Sequence, residues 1–199
     1  MQEQLIALLS GRRGHFRMES GYHSERWFNL DLLFADLPRL QPFVRALAGK
    51  LAACHADVIC GPVTGGARLA ELIAVELGCA SCPAERHEAI GATGLFPVHY
   101  RVPAGRRDGL RGKSVAIVDD AISAGSALKG TYADLLACGA RPVARGALII
   151  FGEAADRFVA DKGLPLEAVA RTSFAMWPPG DCPLCQSGLP LEAVSDATV

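Results

Sequence analysis

The chain has 199 residues with 20 Lys+Arg against 21 Asp+Glu, and a net charge of −1 excludes binding of nucleic acid or anionic membrane through overall charge. Half of the residues are hydrophobic, enough for a sizeable core, so intrinsic disorder is excluded and the length predicts one domain. The 21 Gly and 12 Pro are scattered, which implies many turns and no low-complexity linker.

In chain order, MQEQLIALLSGRRG reads as an amphipathic helix closed by glycine, without the early positive charge or long apolar run of a signal peptide. No later stretch reaches the roughly 18 apolar residues of a membrane span, so a soluble, cytoplasmic protein is expected. Residues 37–53 place Leu40, Phe43, Val44, Leu47 and Leu51 on one helical face, with Leu37 extending the stripe. Asp57-Val58-Ile59-Cys60, closed by Gly61-Pro62, predicts a strand, and ARLAELIAVELG after Gly65-Gly66 predicts a helix stopped at Gly78. The same grammar returns in the strand 114–118, the turn DDAISAGSA and the helix LKGTYADLLACG, followed by the apolar run PVARGALIIF. Strands alternating with helices predict a mainly parallel sheet covered on both faces. Between these repeats, residues 96–102 alternate with period two and predict an antiparallel hairpin strand. AVARTSF offers one more strand, and the turn-rich segment after it is expected to wrap the surface.

The strongest chemical signal is VAIVDDAISAGSA, residues 115–127. A buried strand delivers Asp119 and Asp120 to the edge where open α/β sheets place ligands. Ser123, Gly125 and Ser126 then open a helix whose free N–H groups suit a phosphate dianion. Two carboxylates would repel a bare phosphate but accept hydrogen bonds from the hydroxyls of a sugar phosphate. The pattern therefore points to ribose 5-phosphate chemistry, against the plainer alternative of solvated acids beside a Ser-capped helix.

This segment resembles the phosphoribosyl-diphosphate (PRPP) signature of type I phosphoribosyltransferases, specifically the orotate branch. FRMESG (16–21) with WFNL (27–30) is similar to that branch's N-terminal hood, DVICGPVTGG to its first strand and pyrophosphate loop, AER (84–86) to its arginine-ending strand, and DCPLCQSGLP to the tail of a subset of orotate enzymes. The resemblance implies a type I α/β fold in one domain, with a hood (1–36), a core (37–175) and a tail (176–199). It implies that Asp119 and Asp120 hold the ribose hydroxyls and carry catalysis, that Ala121, Ile122, Ser123, Ala124, Gly125, Ser126 and Ala127 wrap the 5-phosphate, and that Ser123 borders the base. Val63, Thr64, Gly65 and Gly66 would approach the pyrophosphate with their backbone, and Arg86 would help neutralise it. The implied activity is transfer of ribose 5-phosphate from PRPP to a nitrogenous base, with orotate as the default acceptor. Mg²⁺ would be held mainly through PRPP without a protein metal cage, and a homodimer would complete the sites.

The departures from the family pattern are specific. The mobile-loop lysines are absent, with Ile90 at the key position. The hood lysine is Glu19, the pyrophosphate-loop lysine is lost within Thr64-Gly65-Gly66, and the expected Asp-Arg pair reads Phe151-Gly152. Arg101, Arg106, Arg107 and His87 are candidates to replace the missing cations, against a solvated basic turn. Tyr22, His23 and Arg26 are candidates to read a base, against packing roles. The rival functions are a non-catalytic PRPP sensor and transfer to a different base.

Seven cysteines form an odd set, with Cys54, Cys60 and Cys138 inside apolar patterns, which favours reduced thiols over a disulfide framework. Cys79-x-x-Cys82 and Cys182-x-x-Cys185 together satisfy the count for a four-cysteine zinc site. Cys79 and Cys82, however, enter a strand where positions three apart face opposite sides, so plain thiols are favoured and no metal ligand is assigned. His15, His55 and His99 are isolated in the sequence and read as structural.

Overall fold

Apolar runs with no polar alternation become the centre of a sheet, since both of their faces must be covered. β3 (Val58–Pro62), β6 (Ser114–Ile122) and β7 (Arg141–Phe151) are such strands, buried along most of their length. The structure, a computed structural model, describes residues 1–88, 95, 98–152 and 163–192. Its larger sheet has the order β5-β4-β3-β6-β7-β8, adding β4 (Ala80–Glu88), β5 (Val98–Arg101) and β8 (Leu166–Thr172). All neighbours are parallel except β4 and β5, the antiparallel hairpin that the period-two pattern predicts. Its expected first residues, Phe96 and Pro97, lie outside the described residues.

Helices cover both faces. α2 (Leu37–Leu51) and α3 (Gly65–Leu77) bury Leu40, Val44, Leu47, Leu69 and Ile73 against Ala116, Val118 and Leu148. On the other face α5 (Ser126–Ala137) buries Leu128 and Leu135 against Ile117, Ile150 and Leu110. α2 starts at Asp36, whose carboxylate accepts the Arg39 N–H at 3.1 Å, and α3 stops at Gly78 with φ 66°. Leu37, expected to extend the apolar stripe of α2, is 44% exposed because it sits in the first turn beyond the sheet. No helix among the described residues is long and apolar enough to cross a membrane.

A second, three-stranded sheet has the order β1-β2-β9, from β1 (Ser10–Arg17), β2 (His23–Asn29) and β9 (Met176–Trp177). The N-terminal helix is shorter than its pattern predicts. α1 spans Gln2–Ile6, and the chain from Ser10 onward pairs with β2, Ser10 opposite Asn29 and Gly11 opposite Phe28. Cross-strand pairing overrides the helical period there. A register shift between Arg13 and Phe16 marks a bulge, and beside it two consecutive residues, His15 and Phe16, are both buried. The short helices α4 (Ala104–Arg107) and α6 (Pro183–Gln186) complete the elements described.

Leu47 is fully buried against the sheet, where even a methyl added at Gly146 would lie 3.2 Å from its Cδ1. Leu47→Ala should therefore lower unfolding free energy by about 2–5 kcal/mol, read by urea denaturation.

Candidate active site

The sheet order places a topological switch between β3 and β6: the chain runs outward from β3 to β4 on one side and from β6 to β7 and β8 on the other. In open α/β sheets a crevice opens at that point beyond the carboxyl ends of the strands. The pairing shows it opening. β3 follows β6 only as far as Cys60 opposite Ile117, whereas β6 stays paired with β7 out to Ile122 opposite Ile150. Asp119 and Asp120 thus sit inside a strand that is held on one side and free on the other.

A cavity of about 320 Å³ occupies the crevice. One wall is Asp119, Asp120, Ala121, Ile122 and Ser123 followed by Gly125, Ser126, Ala127 and Leu128; the opposite wall is Pro62, Val63, Thr64 and Gly65. The hood contributes Met18, Glu19 and Ser20, the segment after β2 contributes Leu30 and Asp31, and β5 contributes Tyr100. Gly125 has φ 74°, a left-handed turn that glycine adopts at little cost, and α5 begins at the next residue. The two walls touch. A Cβ at Gly65 would overlap the Asp120 carboxylate, one at Gly66 would lie 2.7 Å from Asp119 Oδ1, and one at Gly61 would overlap the Gly66 carbonyl. The Val63–Thr64 peptide is cis.

The Asp120 N–H donates to Asp119 Oδ1 at 3.1 Å, and the Ala121 N–H donates to Asp120 Oδ1 at 2.8 Å. Burial, with the neighbouring Asp120 charge, pushes the Asp119 carboxyl well above the usual carboxylate range, and burial raises Asp120 as well. Glu19 accepts from the Tyr100 hydroxyl at 2.8 Å and from Arg86 Nε at 3.1 Å. Burial and the Glu19 charge push the Tyr100 phenol upward, so it remains a protonated donor. Among the described lining residues there are four carboxylates, Glu19, Asp31, Asp119 and Asp120, and no Lys or Arg.

Most of the sequence-predicted residues therefore meet in one cavity. Ala124 is buried behind it, Gly66 backs onto Asp119, and Arg86 stands beside the lining through its ion pair with Glu19. The candidate replacement cations do not line it. Arg107 is a brace, pairing with Asp134 at 2.7 Å and donating to the Val102 carbonyl at 3.4 Å, because α4 packs it back toward α5. Arg101 and Arg106 are exposed on the hairpin side, and His87 is exposed with Glu85 at 4.0 Å. Ile90 lies outside the described residues. Phe151 is buried, its ring stacked on Phe28 at 5.1 Å and 7°, with Phe174 edge-on at 4.9 Å.

The candidate base readers fall elsewhere too. Arg26 lines a second cavity, about 290 Å³, with Arg12, Arg13, Phe28 and Phe174. His23 is buried against His15, and Tyr22 is half-buried outside the crevice lining. Sequence reasoning did not single out Tyr100, Asp31 or Ser20 as site residues. The alternation of β5, which turns Val98 and Tyr100 inward and His99 and Arg101 outward, was the available signal for Tyr100. Ser20 is 3% exposed, and its Oγ has no hydrogen-bond partner among the described residues.

Solved structures of type I phosphoribosyltransferases share this fold. Orotate phosphoribosyltransferase from Aeropyrum pernix superposes with a TM-score of 0.62 at 21% identity, covering 83% of this chain and 88% of that one. Adenine phosphoribosyltransferase from Thermoanaerobacter pseudethanolicus superposes with a TM-score of 0.68 at 16% identity, covering 86% and 100%. No family model matches. Orotate phosphoribosyltransferase of Thermotoga maritima is 31% identical over 182 residues, covering 90% of this chain and 88% of the relative, and that of Caldanaerobacter subterraneus is 26% identical over 179 residues, covering 90% and 87%. The chain belongs to the orotate phosphoribosyltransferase family.

The raised Asp119 carboxyl has a stability consequence in the ligand-free protein. The fold favours the protonated form, so the penalty is absent below the ordinary carboxyl pKa of about 3.9 and grows as pH rises above it. Asp119→Asn should melt higher than the parent at pH 7, by about 2–4 °C for each kcal/mol relieved, with the difference vanishing near about pH 3–4. Equal melting curves at both pH values would contradict the burial argument.

Proposed function

We propose that this chain transfers the ribose 5-phosphate group of PRPP to a nitrogenous base, orotate by default, with release of pyrophosphate. The observation that carries this reading is the convergence of two adjacent carboxylates, Asp119 buried and Asp120 half-buried, with a glycine-bearing helix start at the switch point of a parallel sheet. Asp119 and Asp120 accept hydrogen bonds from the ribose 2- and 3-hydroxyls and fix the ring. The turn from Ala121 to Ala127 gives backbone N–H groups to the 5-phosphate at the start of α5. Val63, Thr64, Gly65 and Gly66 approach the pyrophosphate, with Arg86 beside them to offset negative charge as it leaves.

In the reaction the bond from the anomeric carbon to pyrophosphate oxygen breaks while a base nitrogen, giving up its proton, bonds to that carbon, through an oxocarbenium-like state from which water must be kept. Ser123 borders the base, and the orphaned Ser20 hydroxyl offers it a further hydrogen bond. Mg²⁺, an oxygen-seeking ion, would be held mainly through PRPP oxygens and would offset the diphosphate charge beside the four-carboxylate lining. A homodimer in the cytoplasm is part of the same reading, on the strength of the family resemblance.

Phe151-Gly152 stands where the family pattern has Asp-Arg, so the base-gripping arginine is replaced by Gly152 beside a Phe151 ring stacked on Phe28, which supports a second reading in which the acceptor is another, less anionic base. Pyrophosphate release from PRPP and Mg²⁺ in the presence of orotate, other pyrimidines or purines separates the readings. Release with orotate supports the first, release only with another base supports the second, and silence across the panel leaves a PRPP sensor. Asp119→Asn/Asp120→Asn should abolish turnover and lower PRPP affinity by at least about 100-fold, given two charge-assisted hydrogen bonds at roughly 1.5–3 kcal/mol each. A folded double variant with parental affinity would refute the assignment.

A further inference from the structure

Outside the crevice, the described residues hold one group of side chains whose ligand atoms are placed for a metal ion. His15 from β1, His23 from β2, and Cys182 and Cys185 from the tail bring one ligand atom each to within 4.8 Å of one another. His15 Nε2 lies 3.0 Å from His23 Nδ1, 3.5 Å from Cys182 Sγ and 3.7 Å from Cys185 Sγ, and Cys185 Sγ lies 3.2 Å from His23 Nδ1. A tetrahedral zinc ion with Zn–N of about 2.0–2.1 Å and Zn–S of about 2.3 Å spaces its ligand atoms by about 3.3–3.8 Å. The observed spacings straddle that range.

We propose that His15, His23, Cys182 and Cys185 form a structural zinc site that clamps the C-terminal tail onto the hood.

The donor set is chemically selective. Two imidazoles and two thiolates match zinc, and the Cys-x-x-Cys spacing is that of a zinc knuckle. The Leu189 carbonyl lies 2.7 Å from His15 Nδ1, which assigns the proton to that nitrogen and leaves the Nε2 lone pair facing the other three ligands. His15, His23 and Cys182 are 1%, 6% and 0% exposed, so the cluster is walled by protein and opens only at Cys185. Four protein ligands leave no open position, which makes the site structural rather than catalytic. Cys79 and Cys82 are not part of it: Cys82 is buried beside Cys60, whereas Cys79 packs on the opposite face of the sheet.

The location gives the site a purpose. β1 and β2 are joined by the turn Met18–Tyr22, closed by the Met18 N–H donating to the Tyr22 carbonyl at 2.8 Å, and that turn carries Glu19 and Ser20 into the crevice. Zinc bound at His15 and His23 holds both stems of the turn. Tail contacts reinforce the clamp: the Glu192 N–H donates to the His15 carbonyl at 2.7 Å, and Glu192 pairs with Arg12 at 2.8 Å. Hood order, and with it the Glu19–Tyr100 contact, thus depends on a metal remote from the reaction.

The test uses full-length, untagged protein purified under reducing conditions without chelator. Metal analysis should find about one zinc per chain, and cobalt(II) added to stripped protein should give the visible bands of tetrahedral cobalt with thiolate charge transfer. Cys182→Ser/Cys185→Ser should lose the zinc, lower the melting temperature and speed proteolysis of the tail, whereas Cys79→Ser should retain zinc and spectrum. The cobalt spectrum needs only the parent chain, so the test survives a double variant that fails to fold. Zinc-free parent protein with all thiols free and no tetrahedral cobalt spectrum would overturn the proposal, as would a Cys182–Cys185 disulfide in freshly purified protein. These readouts do not involve PRPP, so they are independent of the transferase reading.

Discussion

Two adjacent carboxylates pressed against bare glycine backbone set the shape of this molecule. Asp119 and Asp120 meet the β3–α3 turn so closely that a Cβ at Gly65 or Gly66 would collide with them. That contact is available because β6 continues along β7 after β3 has turned away, so the acids emerge into a crevice while still held in a strand. The raised carboxyls show what burial there costs the free protein. A site that holds ionisable groups out of water in this way is favourable only when a ligand supplies their hydrogen-bond donors or counter-charge.

Much of this was legible in the sequence. Continuous apolar runs ending in Gly-Pro or Asp-Asp identified β3 and β6, their alternation with helices identified the parallel sheet, and the DDAISAGS segment identified the crevice wall. What was not legible depends on pairing between distant segments. The start of the chain has a helical period through Leu9, yet Ser10–Arg17 is a strand because β2 is available to pair with it. Tyr100 reaches Glu19 from another sheet, 81 residues along the chain. His15 reads as an isolated histidine and His23 as a candidate base reader; a bulge in β1 and the antiparallel hairpin bring them together, and the tail adds Cys182 and Cys185 from more than 150 positions away.

The departures from the family pattern that the sequence resembles are electrostatic and leave the fold in place. Its crevice lining among the described residues is acidic, with Arg86 held at the side by Glu19. Such a surface repels a bare diphosphate, because like charges across a partly desolvated cleft interact strongly. It accepts a diphosphate whose charge is already offset by a divalent cation. On the proposed function, magnesium would matter more here than in a lysine-rich site, with the carboxylates serving the sugar rather than the phosphates.

That claim is tested most directly by calorimetric titration of PRPP into the ligand-free protein, once with Mg²⁺ and once with a chelator that removes it. The account predicts saturable binding with Mg²⁺ and a loss of affinity of at least about tenfold, 1.4 kcal/mol, without it. Equal affinity in the two titrations would contradict it.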